Sequence, residues 1–235
     1  MDNLSIFVGV LANFISVLVI LSPIETFRRI VKNKSTGEFE CLPYICTLLN
    51  TLLWTYYGVT KPGAYLVATV NAFGVVVETT YIILFLRYAS RKVKCKTAQL
   101  VVSLDIISFA AAVLITHFAL DGDAKINAIG FLGAGLNIVM YGSPLAAMRT
   151  VVTTKSVEYM PFLLSFFLFL NGEVWFFHAV LVGDPFVGVP NGIGFIFGIV
   201  QLSLYARYRS STSSSSSVAS PTDPLLLPSP LPATF

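Results

Sequence analysis

Inside the apolar stretch LFLNGEVWFF, Leu168 to Phe177, stand an asparagine, a glutamate and a tryptophan. Asn171 and Trp175 are four residues apart, as are Asn50 and Trp54 earlier in the chain, so each pair shares one helix face. Ser16, Val19 and Pro23 share a face by their i, i+3, i+7 spacing, and Asn137, Met140 and Pro144 repeat it. Indoles and carboxamides together suit a sugar: the ring stacks on its C–H face while the amide donates to and accepts from hydroxyls. For any single asparagine the competing reading is glue between helices, but a set present twice weighs against it. Glu173 points roughly 200° away from both Asn171 and Trp175 on a helical wheel. Three readings compete for it: a protonated or hydrogen-bonded structural group, an interface contact, or a proton-coupling carboxylate. Glu78 and Asp105 pose the same question. No HExxH or GxSxG occurs, and His117 and His178, read as interfacial or packed, have no metal-ligating partner at useful spacing. No catalytic residue, metal or cofactor is expected, and the chain reads as no enzyme.

A membrane must position these residues. Of 235 residues 55% are hydrophobic and 11% charged, against about 25% charged in a soluble domain. Seven stretches approach the roughly 20 apolar residues a spanning helix needs: about 4–27, 41–60, 66–86, 99–120, 126–148, 160–182 and 188–206. The second is the least apolar. The first opens on Asp2 rather than a basic region and is too long for a signal peptide, so it is expected to remain as a helix. Of 15 basic residues, 13 follow the first, third, fifth and seventh spans; only Lys61 and Lys125 lie on the other side. The basic side is therefore read as cytosolic and the N-terminus as non-cytosolic. The net charge of +3 fits a rim facing anionic lipid and calls for no nucleic-acid partner. Three cysteines, Cys41, Cys46 and Cys95, make no disulfide framework. The Ser/Pro-rich tail, 210–235, reads as disordered.

Sliding the chain over itself exposes a repeat. At an offset of 121, Gly9 meets Gly130, Ser22-Pro23 meets Ser143-Pro144, Lys34-Ser35 meets Lys155-Ser156, Asn50 meets Asn171 and Trp54 meets Trp175. After a one-residue deletion Asn71 meets Asn191, and Arg87-Tyr88 meets Arg207-Tyr208. Spans one to three thus recur as spans five to seven. Three is odd, so the extra fourth span returns the second copy to the orientation of the first, a parallel repeat with its axis along the membrane normal. The expected fold is all-α, 3+1+3: repeat 1–98, linker helix 99–122, repeat 123–209 and the tail.

The motifs LPYICTLLNTLLWTYYG, TVNAFG, YGSPLAAMRTVVTTKSVEYMPF and VPNGIGF resemble those of the SWEET sugar facilitators of plants, over roughly residues 3–209. The resemblance implies uniport of sugar down its gradient by a homo-oligomer in the bilayer. It implies that Asn71 and Asn191 bind the sugar, that Trp54 and Trp175 stack on it, and that Asn50, Asn171, Ser16, Asn137 and Met140 shape the pocket. Hinge prolines would be Pro23, Pro43, Pro144 and Pro161, though Pro43 and Pro161 are 118 apart, off the repeat's register. Within a helix, each would remove a backbone bond and leave a kink. Tyr57 and Asp184 would pair across the closed non-cytosolic mouth. Asn137 and Met140 are bulky where disaccharide carriers of the family tend to have smaller residues, so the monosaccharides glucose and fructose are expected over sucrose. The resemblance is to the vacuolar branch, and Asp223, Leu226 and Leu227 look like an acidic dileucine sorting signal. Vacuolar membrane is expected, plasma membrane being the alternative. Rival functions are a proton-coupled transporter of sugar or another small polar solute using Glu173, and a seven-helix receptor. A receptor would lack the repeat, and a retinal protein would need a lysine in the seventh span, which has none.

Overall fold

The computed structural model describes residues 2–158 and 160–216, and among these every regular element is a helix. In hydrocarbon every backbone N–H and C=O must be bonded within its own segment, which leaves long apolar runs no other form. The order is α1 Asn3–Leu21, α2 Ile24–Asn33, α3 Leu42–Thr60, α4 Tyr65–Tyr88 and α5 Arg91–Leu100, which continues through a π-helical segment Val101–Ser108 into α6 Phe109–Ala119. Then follow α7 Gly122–Met140, α8 Gly142–Thr154, α9 Phe162–Val182 and α10 Pro185–Ser216. The expected first and fifth spans are each interrupted. The first breaks at Ser22–Pro23 and the fifth at Tyr141, so α2 and α8 are separate pieces at the basic end. Both pieces stop on a lysine in the left-handed region, Lys34 at φ 50° and Lys155 at φ 54°, 121 residues apart. The helix α10 passes the expected boundary at 210 and runs to Ser216; the rest of the tail, with Asp223, Leu226 and Leu227, lies outside the described residues.

Among the described residues six helical stretches are long and apolar enough to cross a bilayer, and α3 is not one of them. The reason lies in what α3 must present: Thr47, Asn50, Thr51 and Trp54 face a cavity rather than lipid. Elsewhere large apolar side chains point outward, Phe118 at 79% exposure and Phe131 at 70%, as a lipid-facing surface requires.

Within each repeat the second and third long helices pair most extensively, α3 with α4 and α9 with α10. Gly58 allows one of these contacts, since a Cβ there would stand 2.5 Å from the backbone nitrogen of Ala68. The repeats meet crosswise, α1 on α9 and α3 on α7. The linker leans on the first repeat: its π-helical segment packs on α3, and α6 alone of its parts has a substantial contact with α7. One apolar cluster joins the halves, with Ala12, Trp54, Tyr57 and Val67 meeting Ile129, Trp175, Ala179 and Val187. Toward the basic end each half has its own cluster, around Phe27, Ile45 and Phe85 in the first and Met148, Val151 and Met160 in the second. The repeats are therefore fastened at the Lys61 end and separate toward the other.

Candidate substrate pocket

Between the halves lies a cavity of about 390 Å³. Ser16, Asn50, Trp54, Asn71, Asn137, Met140, Asn171, Trp175 and Asn191 all line it, with Val19 and Pro144. Four polar lining residues were not anticipated: Thr47, Thr51, Tyr141 and Gln201. For Gln201 the available signal was a polar residue inside the seventh apolar span.

The two repeat asparagines are held alike. Asn71 Nδ2 donates to the Val67 carbonyl and Asn191 Nδ2 to the Val187 carbonyl, each over 2.8 Å and one turn back along its own helix. That fixes the amide orientation and leaves each Oδ1 to accept from a ligand hydroxyl. The flanking pairs are not alike. Trp175 Nε1 donates to Ser16 Oγ at 2.8 Å, and Ser16 Oγ donates to Asn171 Oδ1 at 2.6 Å, a triad linked in series between α1 and α9. The counterpart positions Trp54, Asn137 and Asn50 make no such triad, and Asn50 Nδ2 is buried without a hydrogen-bond partner among the described residues.

At the Lys61 end the cavity is sealed. Tyr57, fully buried, donates its hydroxyl to Asp184 at 2.9 Å to Oδ1 and 3.0 Å to Oδ2. Lys61 Nζ stands 2.8 Å from Asp184 Oδ2 and donates to the Tyr57 hydroxyl at 3.0 Å. Asp184 Oδ1 also accepts from the backbone N–H groups of Phe186 and Val187, so one carboxylate both caps α10 and takes the seal. Lys61 was missed as a site residue; its place one turn beyond Tyr57, off the basic side, was the available signal. In the opposite direction the cavity reaches Thr47, Pro144 and Gln201.

Two expectations about the prolines need correction. Pro43 is the second residue of α3 and Pro161 the N-cap of α9, where no intrahelical bond exists to be lost, so neither kinks a helix. Pro23 is the N-cap of α2, within the first break, and Pro144 is the third residue of α8, just after the second. The proline inside a helix is Pro190, fully buried in α10, whose carbonyl accepts from the Tyr141 hydroxyl. Glu173 is half-buried, does not line the cavity, and makes no hydrogen bond or ion pair among the described residues. Glu78 and Asp105 are buried away from it, with Glu78 Oε2 and both Asp105 carboxylate oxygens lacking partners among those residues.

A family described as "Sugar efflux transporter for intercellular exchange" matches the chain twice, at 6–93 and at 127–213, once for each half of the repeat. The chain belongs to the SWEET family. Bidirectional sugar transporter SWEET17 of Arabidopsis thaliana is 57% identical over 210 residues, which are 89% of this SWEET chain and 87% of that protein. Bidirectional sugar transporter SWEET16 of the same plant is 52% identical over 210 residues, 89% and 91% of the two chains. A solved eukaryotic SWEET transporter superposes with a TM-score of 0.83 at 40% identity, covering 88% of this chain and 97% of the other.

Proposed function

We propose that this SWEET chain is a bidirectional facilitator that carries hexoses, glucose or fructose, down their gradient by alternating access. The observation that carries the reading is the single amide- and indole-lined cavity, sealed at one end by Tyr57, Asp184 and Lys61 and extending toward the other. The name shared by its relatives, bidirectional sugar transporter, supports it. Asn71 and Asn191 accept from the sugar's hydroxyls, while Trp54 and Trp175 bracket its faces. The units that rock are 1–98 and 123–209, with 99–122 riding on the first; the breaks before Pro23 and Pro144 are where bending costs fewest backbone bonds. At about 390 Å³ the cavity is at the small end of the range for ligand pockets, ~300–1,000 Å³. Asn137 and Met140 fill wall that a second sugar ring would need. Forcing extra volume into a packed wall costs about 1–3 kcal/mol. The position of Glu173 outside the lining supports uncoupled transport. The basic loops face the cytosol, and the membrane is the vacuolar one, with the N-terminus in the lumen.

Uptake of labelled glucose, fructose and sucrose into proteoliposomes tests this, with and without an imposed pH gradient. Hexose flux exceeding sucrose flux and indifferent to the gradient is the expected result. Gradient-driven accumulation would restore the proton-coupled reading. A tagged full-length protein found only at the plasma membrane of plant cells would reject vacuolar residence.

A further inference from the structure

We propose that His178 is a second latch of the mouth, fastening α9 to the start of α1 and positioning Trp175. His178 is 3% exposed, and its Nδ1 lies 3.0 Å from the carbonyl oxygen of Ser5. A carbonyl only accepts, so Nδ1 carries the proton and donates. Ser5 is itself 3% exposed, and its Oγ donates to the Asp2 carbonyl at 2.8 Å, which ties down the first turn of α1. One turn further on, Gly9 makes room for the ring: a Cβ there would stand 2.9 Å from His178 Cε1 and 3.0 Å from Nδ1. On its own helix His178 meets Trp175 edge-to-face, with centroids 5.5 Å apart and planes at 86°. The face of α9 toward α1 thus makes three bonds across the repeats, Trp175 to Ser16, Ser16 to Asn171 and His178 to Ser5.

Position in the repeat gives this bond its meaning. His178 is 121 residues after Tyr57, the offset that relates the two halves. Tyr57 fastens α3 to the turn between α9 and α10 through Asp184; His178 fastens α9 to α1. A second cavity, of about 420 Å³, lies at this mouth and is lined by Ser5, Lys61, His178 and Asp184, with Val67 and Val187 forming the floor it shares with the sugar cavity. Because α1 and α9 belong to different repeats, opening the mouth must part them. The His178–Ser5 bond then exists in one state only and weights the balance between the two faces. This inference rests on the alternating-access reading above.

Asparagine at 178 can present its amide N–H where Nδ1 stands, while glutamine carries its amide one atom further out. His178→Phe keeps the ring and loses the donor. The readouts are the half-saturation concentrations for hexose measured from each side of oriented proteoliposomes, and the rate at which a Val187→Cys thiol is labelled by an impermeant reagent added at the mouth. One hydrogen bond of ordinary net strength corresponds to a shift of roughly two- to tenfold. His178→Phe and His178→Gln should each raise the labelling rate by that factor. They should also move the ratio of the two half-saturation concentrations by that factor in favour of the mouth side, with His178→Asn close to wild type. If the Phe variant does not reach the membrane, the Asn and Gln variants still decide: equal behaviour of the two overturns the latch. Unchanged labelling in all three variants also overturns it. Absence of hexose flux in wild type would instead defeat the proposed function, and the labelling arm would still read the latch.

Discussion

Ser16→Ala removes one hydroxyl and two hydrogen bonds, a buried one from Trp175 Nε1 at 2.8 Å and a partly buried one to Asn171 Oδ1 at 2.6 Å. Each such bond contributes about 0.5–1.5 kcal/mol net, so the pair accounts for ~1–3 kcal/mol. The indole N–H is the costlier loss because the bond is fully buried. In a chain of this length 1 kcal/mol moves the melting temperature by roughly 2–4 °C, so a drop of several degrees is expected. With the ring of Trp175 no longer tethered to α1, the half-saturation concentration for hexose should rise at least several-fold. Asn137→Ala, at the counterpart position, breaks no side-chain hydrogen bond among the described residues and should leave the stability within about 0.5 kcal/mol of wild type. Thermal melts in detergent and zero-trans hexose flux measure both effects. Equal stability and affinity for Ser16→Ala and wild type would refute the claim that this triad holds the second repeat's indole in place.

Asn71→Ala or Asn191→Ala should abolish hexose flux while the protein remains abundant in the membrane, because each removes the free acceptor that faces the cavity; near-normal flux in both would reject the assignment. Tyr57→Phe keeps the ring and loses both bonds to Asp184, so thiol labelling of the floor from the mouth should quicken; an unchanged rate argues against the seal. Asn137→Ser with Met140→Val should admit sucrose, whereas Asn171→Ser alone should do less; a double variant that keeps hexose flux and still excludes sucrose contradicts the wall argument. Asp105→Asn removes a buried carboxylate that has no hydrogen-bond partner among the described residues, a group whose desolvation costs about 1–3 kcal/mol or more, so the melting temperature should rise by a few degrees with flux retained. A fall would show that the carboxyl is satisfied.

Much of the architecture was legible because it depends on quantities a sequence carries openly: runs of apolar residues, and an offset of 121 that aligns Asn50 with Asn171 and Trp54 with Trp175. The nine expected pocket residues line one cavity for the same reason, since helical spacing puts each pair on a common face and the repeat turns the faces toward each other. Helix breaks were harder to see. Tyr141 interrupts the fifth span just ahead of Gly142 and Pro144, residues that mark a weak point without saying that the helix stops there. For Pro43 and Pro161 the sequence says that a proline is near a span but not on which side of the helix's first turn it falls. Hydrogen-bond partners were mostly invisible; the pairing of Tyr57 with Asp184 was expected, and that from the family resemblance. Nothing in the letters distinguishes Ser16, which is tied to both Trp175 and Asn171, from Asn137, its counterpart, which is tied to neither. The pairing of His178 with the Ser5 carbonyl joins residues 173 apart and depends on the crosswise packing of α1 on α9.

The central claim is that one sugar site faces the two sides in turn, without a coupling ion. Counterflow tests it most directly: proteoliposomes loaded with unlabelled glucose are diluted into a trace of labelled glucose, with a protonophore present. An alternating carrier must take up label transiently above its equilibrium level and then lose it, and Asn71→Ala or Asn191→Ala must eliminate the transient. Uptake that rises only to equilibrium, or an overshoot that disappears when the protonophore is added, would contradict the account.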